Sequence, residues 1–235
     1  MCKLFCENTR PYDRGMGKEY NCFIRISPHE YTERILDGHL YCNNLKFFKK
    51  SDNGGQNDMN EGTAYFYMSD ELRTRIDITE PEKIHIFCMS WLSSSFSDND
   101  KEKFNYSMPQ AMYDKFQTFG SDKEDCSKKD IIYIQNSDSL IEKIHDACEK
   151  LGIRVCHSYV EYQDFTGNFI DNELSDVLKK GEFKAVFIKS DEYSWQQEYR
   201  FCFLGVPRDL INNNGAFTLD VGDIRGIATV KYACI

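Results

Sequence analysis

One segment holds helical spacing for about four turns, and it limits the fold because the rest of the chain does not follow it. Across residues 137–151 the apolar side chains Leu140, Ile141, Ile144, Ala147, Cys148 and Leu151 obey the i, i+3, i+4 rule, and Gly152 is placed to end the helix. The other apolar runs are short and separated by polar, Asn/Asp/Gly-bearing loops. Strands are expected over 22–26, 63–68, 83–93, 131–134, 155–162, 183–189, 195–204 and 227–232. A strand and turn is expected over 40–48. The 17 Phe and 14 Tyr favour strands over a helical bundle. Shorter helices are expected over 28–36, with Ser27 as N-cap and Pro28 at the first helical position, and over 109–119 and 172–180. This mixture lacks the regular strand–helix–strand cadence of a parallel sheet. The expected class is α+β, a mostly antiparallel β-sheet core with flanking helices. Residues 1–20 read as a loosely ordered arm and 21–235 as a single domain.

Composition narrows the function classes. A net charge of −9 repels nucleic acid and anionic membrane in bulk, although it does not fix where charge lies locally. The apolar runs are too short for a spanning helix, and residues 1–7 do not form a signal peptide, so a cytoplasmic protein is expected. Ten cysteines could suggest disulfides, but several replace aliphatic residues inside apolar runs, as in Phe87-Cys88-Met89 and Phe201-Cys202-Phe203. They read as free, buried thiols. There is no Cys-x-x-Cys pair, so no metal site is expected. P-loop and Rossmann glycine patterns are absent as well.

Three places carry chemistry-bearing residues in unusual settings. In the run Trp195-Gln196-Gln197-Glu198-Tyr199-Arg200-Phe201, strand alternation would put Gln196, Glu198 and Arg200 on one face and Trp195, Gln197, Tyr199, Phe201 and Phe203 on the other. The polar row could equally be the wet side of an edge strand. Ser90 follows an apolar run and shares the face of Ile84, Ile86 and Cys88, although a serine-rich loop after a core strand is common. Arg25 stands among Phe23, Ile24 and Ile26, where a guanidinium needs an anionic partner, a protein carboxylate or a phosphate. The cluster Asp58-Met59-Asn60-Glu61-Gly62 reads as turn chemistry before it reads as a substrate-facing loop.

Taken in order, Arg25, Ser90 and Gln196-Gln197-Glu198 resemble the Arg–Ser–Glu layout of ADP-ribosyltransferase-like folds, which have a split antiparallel sheet. The wording of residues 35–48, of Asp58-Met59-Asn60-Glu61-Gly62 and of the late Gln-x-Glu-Tyr-Arg is also similar to an uncharacterised family of bacterial defence and prophage regions, near RNA-modifying toxins of phage defence. The resemblance implies NAD as substrate, without a metal, and transfer of ADP-ribose to a macromolecular acceptor, nucleic acid or protein. It also leaves room for a cognate antitoxin. It implies that Glu198 stabilises the charge developing on the ribose and that Gln196 orients the acceptor. Arg25 would bind a phosphate or ribose of NAD, Ser90 would position Glu198, and Tyr41 or Phe48 would stack on nicotinamide. The rival expectation is a non-catalytic interaction or regulatory module of the same fold.

Overall fold

In a computed structural model, residues 19–50, 60–69, 72–95, 112, 115, 129–164 and 182–232 are described. Along the chain the elements are β1 (Glu19–Pro28), α1 (His29–Leu36), β2 (His39–Asn44), α2 (Leu45–Lys50), β3 (Thr63–Ser69), β4 (Leu72–Asp77), β5 (Ile84–Ser95), β6 (Lys129–Ile134), α3 (Ser137–Leu151), β7 (Arg154–Tyr159), β8 (Glu161–Gln163), β9 (Ile188–Ser190), β10 (Glu198–Leu204), β11 (Phe217–Asp220) and β12 (Ala228–Lys231). The class is α+β, and most strand pairs are antiparallel. Two compact units divide the described residues: 42–88 with 153–217, and 19–41 with 89–152 and 218–232.

The first unit is built on β10. This strand pairs with β5 and antiparallel with β7, Tyr199 opposite Tyr159 and Phe203 opposite Val155. Glu198 to Phe203 are buried without a break, so the strand is covered on both faces and is not a wet edge. Its even-numbered face adjoins an apolar cluster of Leu45, Ile78, Ile84, Ile86, Cys156, Val186 and Cys202. On the odd-numbered face, Phe203 meets Phe217 edge to face and Phe217 meets His85 in the same way. Two-stranded pieces complete the unit, the antiparallel hairpin β3–β4 and the parallel pair β8–β9.

In the second unit β1 lies between the later part of β5 and β6, and β12 pairs with the far side of β6. Helix α3 has the bounds that its periodicity predicts. Asn136 Oδ1 accepts the Ser139 N–H at 3.0 Å at its start, and Gly152 closes it at φ +68°. Leu140, Ile144, Ala147 and Cys148 are buried, whereas Leu151, at the end of the predicted stripe, is exposed. In front of α1, Ser27 is not the cap: Pro28 occupies that place in extended geometry, and the Ser27 hydroxyl donates to the Pro28 carbonyl at 3.2 Å. The helix is held from outside instead. The Arg225 guanidinium binds Glu33, Asp37 and Asp223, and Thr32 and His29 both bind the buried Asp130 carboxylate at 2.7 and 2.8 Å.

Other expectations need correction. Residues 45–50 continue β2 as a helix, not a turn, because Asn44 Oδ1 accepts the Phe47 N–H at 2.9 Å and caps α2 from its own side chain. Most of 183–189 is a 3-10 segment, Glu182–Phe187, and only Ile188–Ser190 is extended. The late strand begins at Glu198, since Asp191–Gln196 form another 3-10 turn and Gln197 takes a left-handed conformation at φ +43°. The sequence pattern does not predict β4 or β11. The expected helix 172–180 and residues 1–18 lie outside the described residues, and of 109–119 only Met112 and Lys115 are described, both helical. The six described cysteines are thiols outside any disulfide, five of them buried. Among the described residues no helix is long and apolar enough to cross a membrane.

Gly38 ends α1 at φ +93°, and a Cβ placed there would lie 2.1 Å from the Gly222 carbonyl oxygen, an immovable backbone atom. Gly38→Ala therefore combines a disallowed conformation with a backbone clash and should cost at least about 3 kcal/mol. Gly152, with positive φ but open space around it, should cost only about 1 kcal/mol when changed to Ala. Urea unfolding of the two variants checks the difference.

Candidate functional site: a buried charge cluster around Arg200

Strand alternation puts Glu198 and Arg200 on the same face of β10, as the sequence pattern implies. That face is not wet. Arg200 is the largest fully buried side chain among the described residues, and it meets the first unit's apolar cluster at Val186. A guanidinium in such a place must be neutralised and its donors satisfied. Its Nε and Nη2 both reach Glu198 Oε1 at 2.7 Å. Nη1 donates to Glu61 Oε1 at 2.5 Å and also to the Val186 carbonyl. The 3-10 segment thus uses one of its own carbonyls to hold the arginine that closes the cluster.

Lys189, on β9, supplies the second cation. Its Nζ donates to Glu198 Oε2 at 3.1 Å and to Gln196 Oε1 at 2.9 Å, lies 3.9 Å from Glu61 Oε2, and stands 4.9 Å from the centre of the Tyr193 ring. The parallel pairing of Tyr162 with Lys189 brings β8 to the same place, where the Glu198 N–H donates to the Tyr162 hydroxyl oxygen at 2.8 Å. Two carboxylates face two cations, so the cluster is neutral. Burial alone would raise the Glu198 carboxyl, but Arg200 and Lys189 outweigh it and, with a hydrogen bond from the Cys88 thiol, bring it down to about 2. For Lys189 and Arg200 burial acts downward, and the two carboxylates raise both above their ordinary values. The Cys88 thiol is pushed up, by burial first and by Glu198 next.

The cluster has an inner and an outer end. The Arg200 and Glu61 side chains are 1% and 2% exposed, whereas Glu198 and Lys189 keep 7% and 8%. Gln196 is buried to a similar degree and meets the outer end from the turn before the strand. Its partnership with Glu198 survives the loss of strand geometry because both side chains converge on the same ammonium.

The other predicted residues are divided between the two units. Phe48 is part of the first unit, where it packs on the apolar cluster and meets Phe47 edge to face. Arg25, Ser90 and Tyr41 belong to the second unit. There Ser90 pairs with Ile24, so it shares that residue's sheet face, and Arg25, next along β1, projects from the opposite face. Order along the sequence therefore does not bring Arg25 and Ser90 to one surface. Tyr41 is 46% exposed on β2.

Two members of the cluster carry no functional signal in the sequence: Glu61 reads as turn chemistry, and Lys189 as the end of a strand. The only sequence signal for Glu61 was its position beside Gly62, and for Lys189 its place after the apolar run Ala185–Ile188. Among the described residues no three His, Cys, Asp or Glu side chains converge as metal ligands would. A carboxylate offers about four acceptor positions, and at Glu198 the two donors of the arginine fork, Lys189 and Cys88 take them up.

The depressed Glu198 carboxyl has a consequence for stability. Its folded value lies below the ordinary 4.5, so its contribution is complete above pH 4.5 and is lost as pH falls toward 2. Acid unfolding of the parent should steepen across that window, and Glu198→Gln should flatten it. Arg200→Met should be far more damaging at neutral pH, about 3–5 kcal/mol, because it leaves carboxylates buried without their cation. Unfolding midpoints between pH 2 and 7 check both.

No family model, no curated protein and no solved structure matches this chain.

Proposed function

We propose that the chain is an NAD-dependent ADP-ribosyltransferase acting on a macromolecular acceptor, with Glu198 as its catalytic carboxylate. The observation that carries this reading is the state of Glu198, ionised, desolvated and fixed at the outer end of the charge cluster beside Gln196. Cleavage of the nicotinamide–ribose bond sends the bonding pair to nicotinamide, which leaves neutral, and positive charge develops on the ribose. A carboxylate already held in place stabilises that charge without reorganising. Attack by an acceptor nucleophile on the ribose carbon then forms the new bond, and the acceptor's proton passes to solvent. Gln196 spends its amide oxygen on Lys189, which leaves the amide nitrogen to donate toward the acceptor. The opposition of Arg25 and Ser90 across their sheet makes the Gln196–Glu198 pair the firmest part of the resemblance, and cofactor binding by Arg25 its weakest.

The toxin and phage-defence context, a cognate antitoxin and a cytoplasmic site of action belong to this proposal through the resemblance alone. A net charge of −9 favours a protein acceptor over a nucleic acid, and both are to be tested. A second reading, a non-catalytic interaction module, has its own supporting observation: the four charges satisfy one another without any ligand.

Labelled NAD incubated with the protein, with RNA, DNA and protein acceptors, separates the two. The enzyme reading expects transfer or nicotinamide release by the parent, and a loss of about 100-fold or more in Glu198→Gln. A folded parent that neither binds NAD nor releases nicotinamide overturns the enzyme reading and favours the module.

A further inference from the structure

We infer that Glu61 is a positioning residue that sets the charge Glu198 presents at the outer end of the cluster; this rests on the ADP-ribosyl-transfer reading above. The run Asp58–Gly62 reads as turn chemistry, and residues 60–63 do form a turn, with the Thr63 N–H donating to the Asn60 carbonyl at 2.8 Å. A surface turn has no need to bury an acid. This one buries Glu61 to 1% exposure. Gly62, at φ +69°, is pressed so closely on the core that a Cβ there would lie 2.6 Å from Leu45 Cδ2 and 3.0 Å from Ile78 Cδ1. The Ile78 N–H donates to the Gly62 carbonyl at 3.1 Å, and the Thr63 hydroxyl donates to Asp77 Oδ1 at 2.6 Å. The backbone after Glu61 is therefore fixed, and its carboxylate is aimed at Arg200 Nη1 and, at longer range, at Lys189.

Glu61 and Glu198 thus share the same two cations. While both carboxylates are present, Arg200 and Lys189 divide their charge between them, and Glu198 keeps a negative field on the side where it is least buried. Without the Glu61 charge, both cations act on Glu198 alone and the cluster carries one net positive charge. That sign opposes a cation developing on a ribose. Glu61 touches no reacting atom in this scheme. It acts through Arg200 and Lys189.

The test is steady-state nicotinamide release from NAD by the parent and three variants whose clusters differ in net charge: Lys189→Met at −1, Glu61→Gln/Lys189→Met at 0 and Glu61→Gln at +1. The expected result is that kcat among the variants falls in that order, by about tenfold or more per step, while KM stays within about threefold. Restoration of part of the Glu61→Gln loss by Lys189→Met is the sign that a purely structural role would not produce. If Glu61→Gln does not fold, comparison of the other two variants still reads the removal of the Glu61 charge. A Glu61→Gln enzyme with near-parent kcat overturns the inference and leaves the proposed activity standing, as does any order of kcat that does not follow net charge. A parent without nicotinamide release overturns the activity, and the inference with it.

Discussion

The first unit is organised by the need to neutralise and hydrogen-bond one guanidinium that lies out of reach of water. Arg200 lies on a strand with Tyr199, Phe201, Cys202 and Phe203, all buried. At that depth its charge and its donors require partners that the strand alone cannot supply. Glu198 is two residues away on the same strand, but Glu61 and the Val186 carbonyl come from segments far apart in sequence. Each of those contacts fixes a piece of chain: the turn before β3, the 3-10 segment before β9, and the start of β10. Lys189 then becomes necessary, because two carboxylates on one arginine would leave a buried negative charge. The sheet places the arginine, and the arginine decides where several irregular segments must go.

Such an arrangement is poor at adding net stability, since the desolvation of four charged groups offsets most of their attraction. Its members come from separate segments, so all four are satisfied only when those segments are brought together as here. The same property suits a site that must hold a carboxylate ionised in a dry setting. A solvated glutamate would be neutralised in effect by water, and an isolated buried one would take up a proton. Two cations and a second carboxylate keep Glu198 charged without cancelling its field entirely.

Regular elements were legible in the sequence because their signals are local. The stripe from Leu140 to Cys148 and the αL glycine at 152 define α3 without help from the rest of the chain. Alternation in β10 correctly joins Glu198 to Arg200 and separates them from Tyr199 and Phe201. What alternation could not convey was depth: a polar row opposite an aromatic one looks the same at a wet edge and in a buried centre. The irregular segments were not legible either. Phe183–Phe187 looks extended by composition, but its backbone is drawn into a 3-10 turn where Arg200 takes a carbonyl. Trp195 and Gln196 continue a strand pattern, yet the left-handed Gln197 breaks it. Local rules failed around the charge cluster, where a long-range contact overrides local preference.

The Arg–Ser–Glu layout shows how much order along a chain can leave undetermined. Arg25 and Ser90 occur in the expected sequence and on adjacent strands, but the register that pairs Ser90 with Ile24 sends Arg25 to the other face. A shift of one residue would have put them together. Register depends on how the apolar set of β1, Cys22, Ile24 and Ile26, meets Leu92 and Ile131, and that choice is made by the core and not by the polar residues. Gln196 and Glu198 keep company for the opposite reason. They are two residues apart and bind the same ammonium, so even a broken strand leaves them together. Proximity in sequence protects a site against errors of register, and for that reason the functional reading rests on this pair and not on the wider pattern.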